Sequence, residues 1–144
     1  MAFRGTHDHN LDAKNRLTVP SRLRTELGER VVVAKGVDDC LALWPHAAYD
    51  EMVETALGRL NPLSPETRRM KRFFNSQAHT ADLDSAGRVM IPAFLMEAGK
   101  LGREVIISGA GECLEIWDRA AWAAEEAAMA AGIDGLTANL GHAG

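Results

Sequence analysis

The ten residues LDAKNRLTVP, Leu11–Pro20, occur a second time in altered form as LDSAGRVMIP, Leu83–Pro92. Both copies contain a Leu-Asp pair, an Arg four residues after the Asp, an alternating apolar run and a closing Pro. Further along, VVAKGVDDCLALW at Val32–Trp44 is matched by VIISGAGECLEIW at Val105–Trp117. The first pair of segments is offset by 72 residues and the second by 73. Because repeated segments at an almost constant spacing mark a duplicated unit, the sequence predicts a tandem duplication.

Each copy of the motif is expected to form a tight turn between two strands. Asp12 and Asp84 begin the turns, because an Asp carboxylate bonds to nearby backbone N–H groups. Asn15 and Gly87 stand where a left-handed backbone is required, which Gly adopts without steric cost and Asn tolerates well. The alternation after each Arg predicts a half-buried strand, and the closing Pro fits the start of a short helix.

Each repeat is therefore predicted to run strand, turn, strand, short helix, strand, turn, strand, with a longer helix after it. Each half buries its apolar face most simply against the other. We expect an α+β fold in which the two units form one interleaved β-barrel with pseudo-two-fold symmetry and flanking helices. The predicted ranges are 1–62 for the first repeat and its helix, 63–75 for a connecting helix, 76–131 for the second repeat and its helix, and 132–144 for a disordered tail.

Three local features outside the motifs are also predicted. The β-branched runs 31–33 and 105–107 indicate strands. Ser64 is expected to cap the connecting helix, and Met70 of that helix is expected to point inward. The last helix is expected to end at Gly132.

Composition and motifs argue against several classes of protein. With 144 residues, 47% hydrophobic and 25% charged, the chain suits one compact domain with a stable core. The five His residues are scattered and no phosphate-binding Gly loop is present, so we expect no catalytic residues, cofactor or small-molecule substrate. His7-Asp8-His9 lacks a third metal ligand, and the two Cys are expected to be buried thiols. No apolar run is long enough to span a membrane, which indicates a cytoplasmic protein.

The charge is distributed unevenly along the chain. The net charge of −4 disfavours a nucleic-acid partner at first sight. Residues 1–72, however, carry 12 Lys and Arg against 10 Asp and Glu, whereas residues 73–144 carry 4 against 10. This asymmetry indicates that any surface facing a polyanion belongs to the first repeat. An ordinary protein with an acidic C-terminal half remains the alternative.

The motifs together resemble the MraZ family. The residues that carry the resemblance are DAKNR, DSAGR, the N-terminal Phe-Arg-Gly, the Arg-Phe-Phe before the second repeat and the Cys-Leu-x-Leu/Ile-Trp strands. It implies a fold of two tandem AbrB-like swapped-hairpin units in each chain and assembly into homo-oligomeric rings. It also implies a nucleoid-associated transcriptional regulator, most simply a repressor. Such a regulator binds G-rich direct repeats in the promoter of the division and cell wall gene cluster that includes its own gene. Asn15 stands where the family usually has Gly.

The candidate DNA-binding residues lie in and around the first motif. Arg suits bidentate recognition of guanine edges and phosphates, and a paired Asp holds its guanidinium in a fixed direction. We assign DNA contact to Arg16, Lys14, Arg4, Asn15 and Arg22, which are close in sequence. A structural role in shaping the turns is assigned to Asp12, Asp84, Gly87 and Arg88. The ion pairs between each Asp and the Arg four residues later can simply stabilise a turn.

A ring-forming scaffold that binds protein rather than DNA is the competing hypothesis. Retention on DNA with a strong dependence on salt would separate the two, because phosphate contacts release counterions. On the sequence alone, we expect Arg16→Ala to weaken DNA binding more than Arg88→Ala does.

Overall fold

A computed structural model describes residues 2–143 of the chain, and the side chains of residues 2–137. The strands are β1 (Thr6–Asn10), β2 (Arg16–Thr18), β3 (Arg30–Lys35), β4 (Leu41–Pro45), β5 (Ala78–Asp82), β6 (Arg88–Met90), β7 (Glu104–Gly109) and β8 (Leu114–Asp118). The helices are α1 (Ser21–Leu27), α2 (His46–Gly58), α3 (Pro65–Ser76), α4 (Ala93–Ala98) and α5 (Arg119–Ala143). The predicted α+β class is confirmed.

The two repeats exchange strands. Six strands form an antiparallel sheet in the order β1-β7-β8-β4-β3-β5. Within it, β1 of the first repeat pairs with β7 of the second, and β5 of the second pairs with β3 of the first. The counterparts in the two repeats are β1 and β5, β3 and β7, and β4 and β8. Exchanging each strand for its counterpart gives the same order, read from the opposite edge of the sheet. The sheet therefore has the pseudo-two-fold symmetry predicted from the duplication.

The predicted single closed barrel is not what the described residues form. The sheet is open, with β1 at one edge and β5 at the other. Strands β2 and β6 pair only with each other, as a separate two-stranded ribbon. These strands are three residues long, and a Pro-initiated helix follows each of them. They therefore cover a face of the larger sheet and do not join its edges.

The main core lies between this ribbon and the sheet. Leu17 of β2 and Val89 of β6 point inward and are 0% and 1% exposed. They meet the inward side chains of the four central strands, with Leu23 of α1 and Leu95 of α4 closing the two ends. Full burial of such aliphatic side chains contributes about 1.5–3 kcal/mol each. Packing across the repeats holds the ribbon in place.

Helices cover the opposite face of the sheet. Tyr49 of α2 packs near Val32 and Trp44 on the first repeat, and Trp122 of α5 packs on Trp117 of the second. Helix α3 lies on α2, where the Tyr49 hydroxyl donates a hydrogen bond to the carbonyl oxygen of Phe74 at 2.7 Å.

Two features of α3 were predicted from its sequence. Ser64 caps the helix as expected, accepting a hydrogen bond from the backbone N–H of Thr67 at 3.2 Å. Met70, expected to point inward, is 41% exposed. That expectation was wrong, because α3 covers only α2 and leaves most of its surface to solvent.

Helix α5 continues through the position where the sequence predicted its end. Gly132 was expected to terminate it, but the helix extends to Ala143. A helix tolerates an interior Gly at a cost of about 1 kcal/mol, and the surrounding Ala residues are the best helix formers. The predicted division at 131/132 stays a prediction, and Gly144 lies outside the described residues. In the described part of the chain, no helix combines the length and apolar character needed to cross a bilayer.

Candidate nucleic-acid interface

Turn 1, residues 12–16, is held closed by the carboxylate of Asp12. Its Oδ1 accepts hydrogen bonds from the backbone N–H groups of Lys14 and Arg16, both at 2.9 Å. Its Oδ2 accepts one from Nε of Arg16 at 2.6 Å. Across residues 2–137, Nε is the only side-chain nitrogen of Arg16 with a hydrogen-bond partner. The guanidinium is thus fixed in direction while its two terminal nitrogens remain available to a ligand.

Turn 2, residues 84–88, repeats this geometry. Oδ1 of Asp84 accepts hydrogen bonds from the backbone N–H groups of Ala86 and Arg88, both at 2.9 Å. Oδ2 accepts one from Nε of Arg88 at 2.8 Å. The side chains of Arg16 and Arg88 are similarly exposed, at 31% and 35%. The structure therefore gives the two motif arginines the same local arrangement.

The two-stranded ribbon places both arginines on one surface. In its register Arg16 is opposite Met90 and Thr18 is opposite Arg88. Residues two apart in a strand, and residues directly opposite in a pair, share a face. Arg16, Thr18, Arg88 and Met90 therefore form one outward surface, which we call the ribbon face. Diagonal neighbours such as the two arginines are about 7–8 Å apart in this arrangement.

The left-handed positions of the turns are where the sequence expected them. Asn15 has φ of 57° and Gly87 has φ of 75°. Gly87 is restricted in a second way, because a Cβ there would overlap the guanidinium of Arg24. Nε of Arg24 donates to the carbonyl oxygen of Val19 at 2.8 Å. An arginine from the first repeat thus packs directly on the turn of the second.

The hydrogen bonds of the turns also set the acidity of their carboxyl groups. The pKa of Asp12 is lowered from 3.8 to about 2, mainly by the backbone N–H of Arg16, with its guanidinium and the N–H of Lys14 adding to the effect. The pKa of Asp84 is lowered in the same way, mainly by the backbone N–H of Arg88. Both carboxylates are therefore charged, and keep their arginines in place, well below neutral pH.

The remaining predicted residues fall into two places. Lys14 is exposed within turn 1, beside Arg16. Arg4 is also exposed, but it precedes β1 and lies at the far end of that strand, about 17 Å from turn 1 at 3.4 Å per residue. Nη2 of Arg22 lies 3.0 Å from Nε2 of His7 and against Gly5, next to Arg4. Within the described part of the chain, no three His, Cys, Asp or Glu residues are grouped as metal ligands would be.

The sequence did not identify the residues of the other repeat that lie beside each turn. Arg24 lies on turn 2, and the carbonyl oxygen of Arg103 accepts a hydrogen bond from the backbone N–H of Leu11 at 2.8 Å beside turn 1. Charge counted along the chain therefore does not give the charge around each turn. The only signal in the sequence is the duplication, which permits an exchange of strands without specifying which residues meet.

Comparison with known proteins agrees with the repeated architecture. The family model described as "MraZ protein" matches residues 2–73 and again residues 74–134. The chain belongs to the MraZ family. A protein named "Transcriptional regulator MraZ" from Desulforamulus reducens is 37% identical over 138 residues, 96% of each chain. Relatives of the same name from Desulfitobacterium hafniense and Moorella thermoacetica are 40% and 39% identical, over 84% and 83% of each chain.

Membership of the MraZ family confirms two predictions made from the sequence. The two successive matches to one family model confirm the tandem duplication. A family whose curated members are named as transcriptional regulators also agrees with the prediction that the chain is not an enzyme.

Proposed function

We propose that this protein is a sequence-specific DNA-binding transcriptional regulator that reads DNA with the ribbon face. The observation that carries the proposal is the pair of Asp-held arginines, Arg16 and Arg88, on the outside of one two-stranded ribbon. The major groove of B-DNA is wide enough to admit a two-stranded ribbon. A guanidinium with free terminal nitrogens can bind O6 and N7 of guanine, which suits a G-rich operator.

The proposed DNA-reading surface includes both arginines, although the sequence analysis assigned only Arg16 to DNA contact. That distinction rested on the acidic neighbourhood of Arg88 along the chain. In the structure Arg88 is exposed to a similar extent as Arg16, and an Asp carboxylate holds its guanidinium in the same way. Arg24 lies against its turn. Thr18 and Met90 complete the surface with a hydroxyl and an apolar side chain, which suit base-edge and thymine-methyl contacts.

Phosphate contacts are assigned to three exposed cations and to the half-buried Asn15. Lys14 and Asn15 precede Arg16 in turn 1, and Arg4 and Arg22 form a second basic site at the start of β1. Contacts of this kind position a protein on DNA without reading its sequence. They also make binding depend on salt, since each neutralised phosphate releases counterions.

We further propose that several subunits act together as a closed ring of AbrB-like units. One ribbon per chain makes few base contacts, and linked ribbons gain affinity when the operator repeats match their spacing. The target would be G-rich direct repeats upstream of a division and cell wall gene cluster that includes the regulator's own gene. Binding there would repress that promoter, which places the protein at the nucleoid.

A gel-shift titration with the chain's own upstream region tests the proposal. We expect shifted complexes with that DNA, weaker binding to a scrambled duplex, and weaker binding to one repeat than to three. Equal affinity for all three duplexes would contradict sequence-specific binding by linked subunits.

A ring that binds protein and not DNA is the second candidate. It is favoured by the net charge of −4 and by the acidic second half of the chain. Such a scaffold would show little retention on DNA at any salt concentration. A DNA-binding regulator instead loses affinity linearly with the logarithm of salt concentration.

A further inference from the structure

Helix α5 carries an apolar stripe that stays largely exposed in the part of the chain that the structure describes. Met129, Ile133 and Leu136 are 43%, 59% and 57% exposed. Their spacing of four and three residues places them on one side of the helix. Trp122, seven residues before Met129, shares that side and packs against Trp117 of the sheet. The stripe is thus the continuation of the face that α5 uses for packing, beyond the point where the sheet ends.

Acidic residues edge this stripe. Glu125 lies four residues before Met129, and Glu126 lies at the stripe's other margin on the helical wheel. Residues 123–144 contain three acidic residues and no Lys or Arg. A partner for the stripe should therefore be apolar in the middle and basic at its rim.

A groove with that character lies between the end of α2 and α3 and has a volume of about 610 Å³. Leu57, Pro62 and Thr67 supply its less polar part, and Arg68, Lys71 and Arg72 line the rest. Neither Lys71 nor Arg72 forms a salt bridge within the described part of the chain. Helix α3 contains four basic residues and one acidic residue.

We propose that the α5 stripe of one subunit docks in the α2–α3 groove of a second copy of this chain. This inference rests on the proposed assembly and names the surfaces that build it. Helix α3 has 12 residues, about 18 Å at 1.5 Å per residue, and the stripe from Met129 to Leu136 spans about 11 Å. The stripe therefore fits within the length of α3, and its acidic margins are opposite in charge to the basic residues that line the groove.

The arrangement of the two surfaces also determines the type of assembly. Within the described residues, the stripe belongs to α5 and the groove to α2 and α3. The two surfaces are different, so the contact is head-to-tail. Head-to-tail contacts generate rings when the rotation between subunits closes.

The test uses one variant for each surface and a matched control. Ile133→Glu places a charge in the stripe, and Lys71→Glu/Arg72→Glu reverses the charge at the groove. The control is Val37→Glu in the β3–β4 connection, because Val37 is 95% exposed and belongs to neither surface. All the substituted positions are exposed, and circular dichroism checks that each variant folds.

Light scattering after size exclusion should show the wild type and Val37→Glu assembled to the same size. Each surface variant alone should have the mass of a single chain. An equimolar mixture of the two should form a complex of two chains, since one intact stripe then meets one intact groove. Wild-type assembly by either folded variant, or a mixture that remains monomeric, would overturn the inference. If the wild type assembles but binds no promoter DNA, the proposed function is contradicted and the proposed interface is not.

Discussion

Replacing Gly87 with Ala should destabilise the protein more than its position in an exposed turn suggests. Two costs add. A residue with a Cβ at φ of 75° is strained by about 1–2 kcal/mol. That Cβ would also displace the Arg24 guanidinium and break its 2.8 Å hydrogen bond to the carbonyl oxygen of Val19, at about 1–2 kcal/mol for a half-buried charged donor. The expected loss in the free energy of unfolding is about 2–4 kcal/mol.

The assay is urea unfolding at one fixed protein concentration, because oligomerisation makes apparent stability depend on concentration. Gly111→Ala is the matched control, since Gly111 has φ of 86° and open space where its Cβ would lie. It should show only the backbone cost. In the Arg24→Ala background, Gly87→Ala should lower the free energy of unfolding only as much as the control does. The coupling energy between the two positions is then roughly 1–2 kcal/mol. If Gly87→Ala costs the same with and without Arg24, the contact between the repeats does not contribute as argued.

Three further predictions concern the core, the turns and the thiols. Leu17→Ala should lower the free energy of unfolding by about 3 kcal/mol because Leu17 is fully buried, whereas Met90→Ala, 52% exposed, should change it by under about 0.5 kcal/mol in the same urea experiment. The pKa of Asp12 is about 2 in the fold against an ordinary 3.8, so its stabilising effect is complete only well above pH 3.8 and is lost as the pH falls towards 2. Unfolding curves between pH 5 and pH 2 should therefore converge for the wild type and Asp12→Asn. Burial raises the pKa of Cys40 and Cys113 to about 12, so a thiol reagent should label them only after denaturation.

Local features of the fold could be predicted because they depend on residues close together in sequence. Asn15 and Gly87 supply the left-handed turns, Ser64 caps α3, and the β-branched runs form β3 and β7. The duplication also predicted the pseudo-two-fold axis, since two similar units bury their apolar faces most simply against each other.

Features that depend on contacts between the repeats could not be predicted. The sequence does not show that β2 and β6 pair only with each other. This pairing places Arg16 and Arg88 on one face, and it leaves the larger sheet open where a closed barrel was predicted. Nor does it show that Arg24 packs on the turn of the other repeat. Counting charges along the chain therefore could not show that Arg24 of the first repeat lies beside the turn of the second.

Fluorescence anisotropy with the chain's own upstream DNA tests the ribbon face most directly. The salt dependence of binding should be compared for the wild type, Arg16→Ala, Arg88→Ala and the control Arg59→Ala, whose exposed side chain follows α2 on the opposite side of the sheet. Removing either ribbon arginine should weaken binding about tenfold or more, the equivalent of a lost bidentate guanine contact. Arg59→Ala should bind as the wild type does, and all four proteins should have the same size. Wild-type affinity and wild-type salt dependence in both ribbon variants would contradict the account.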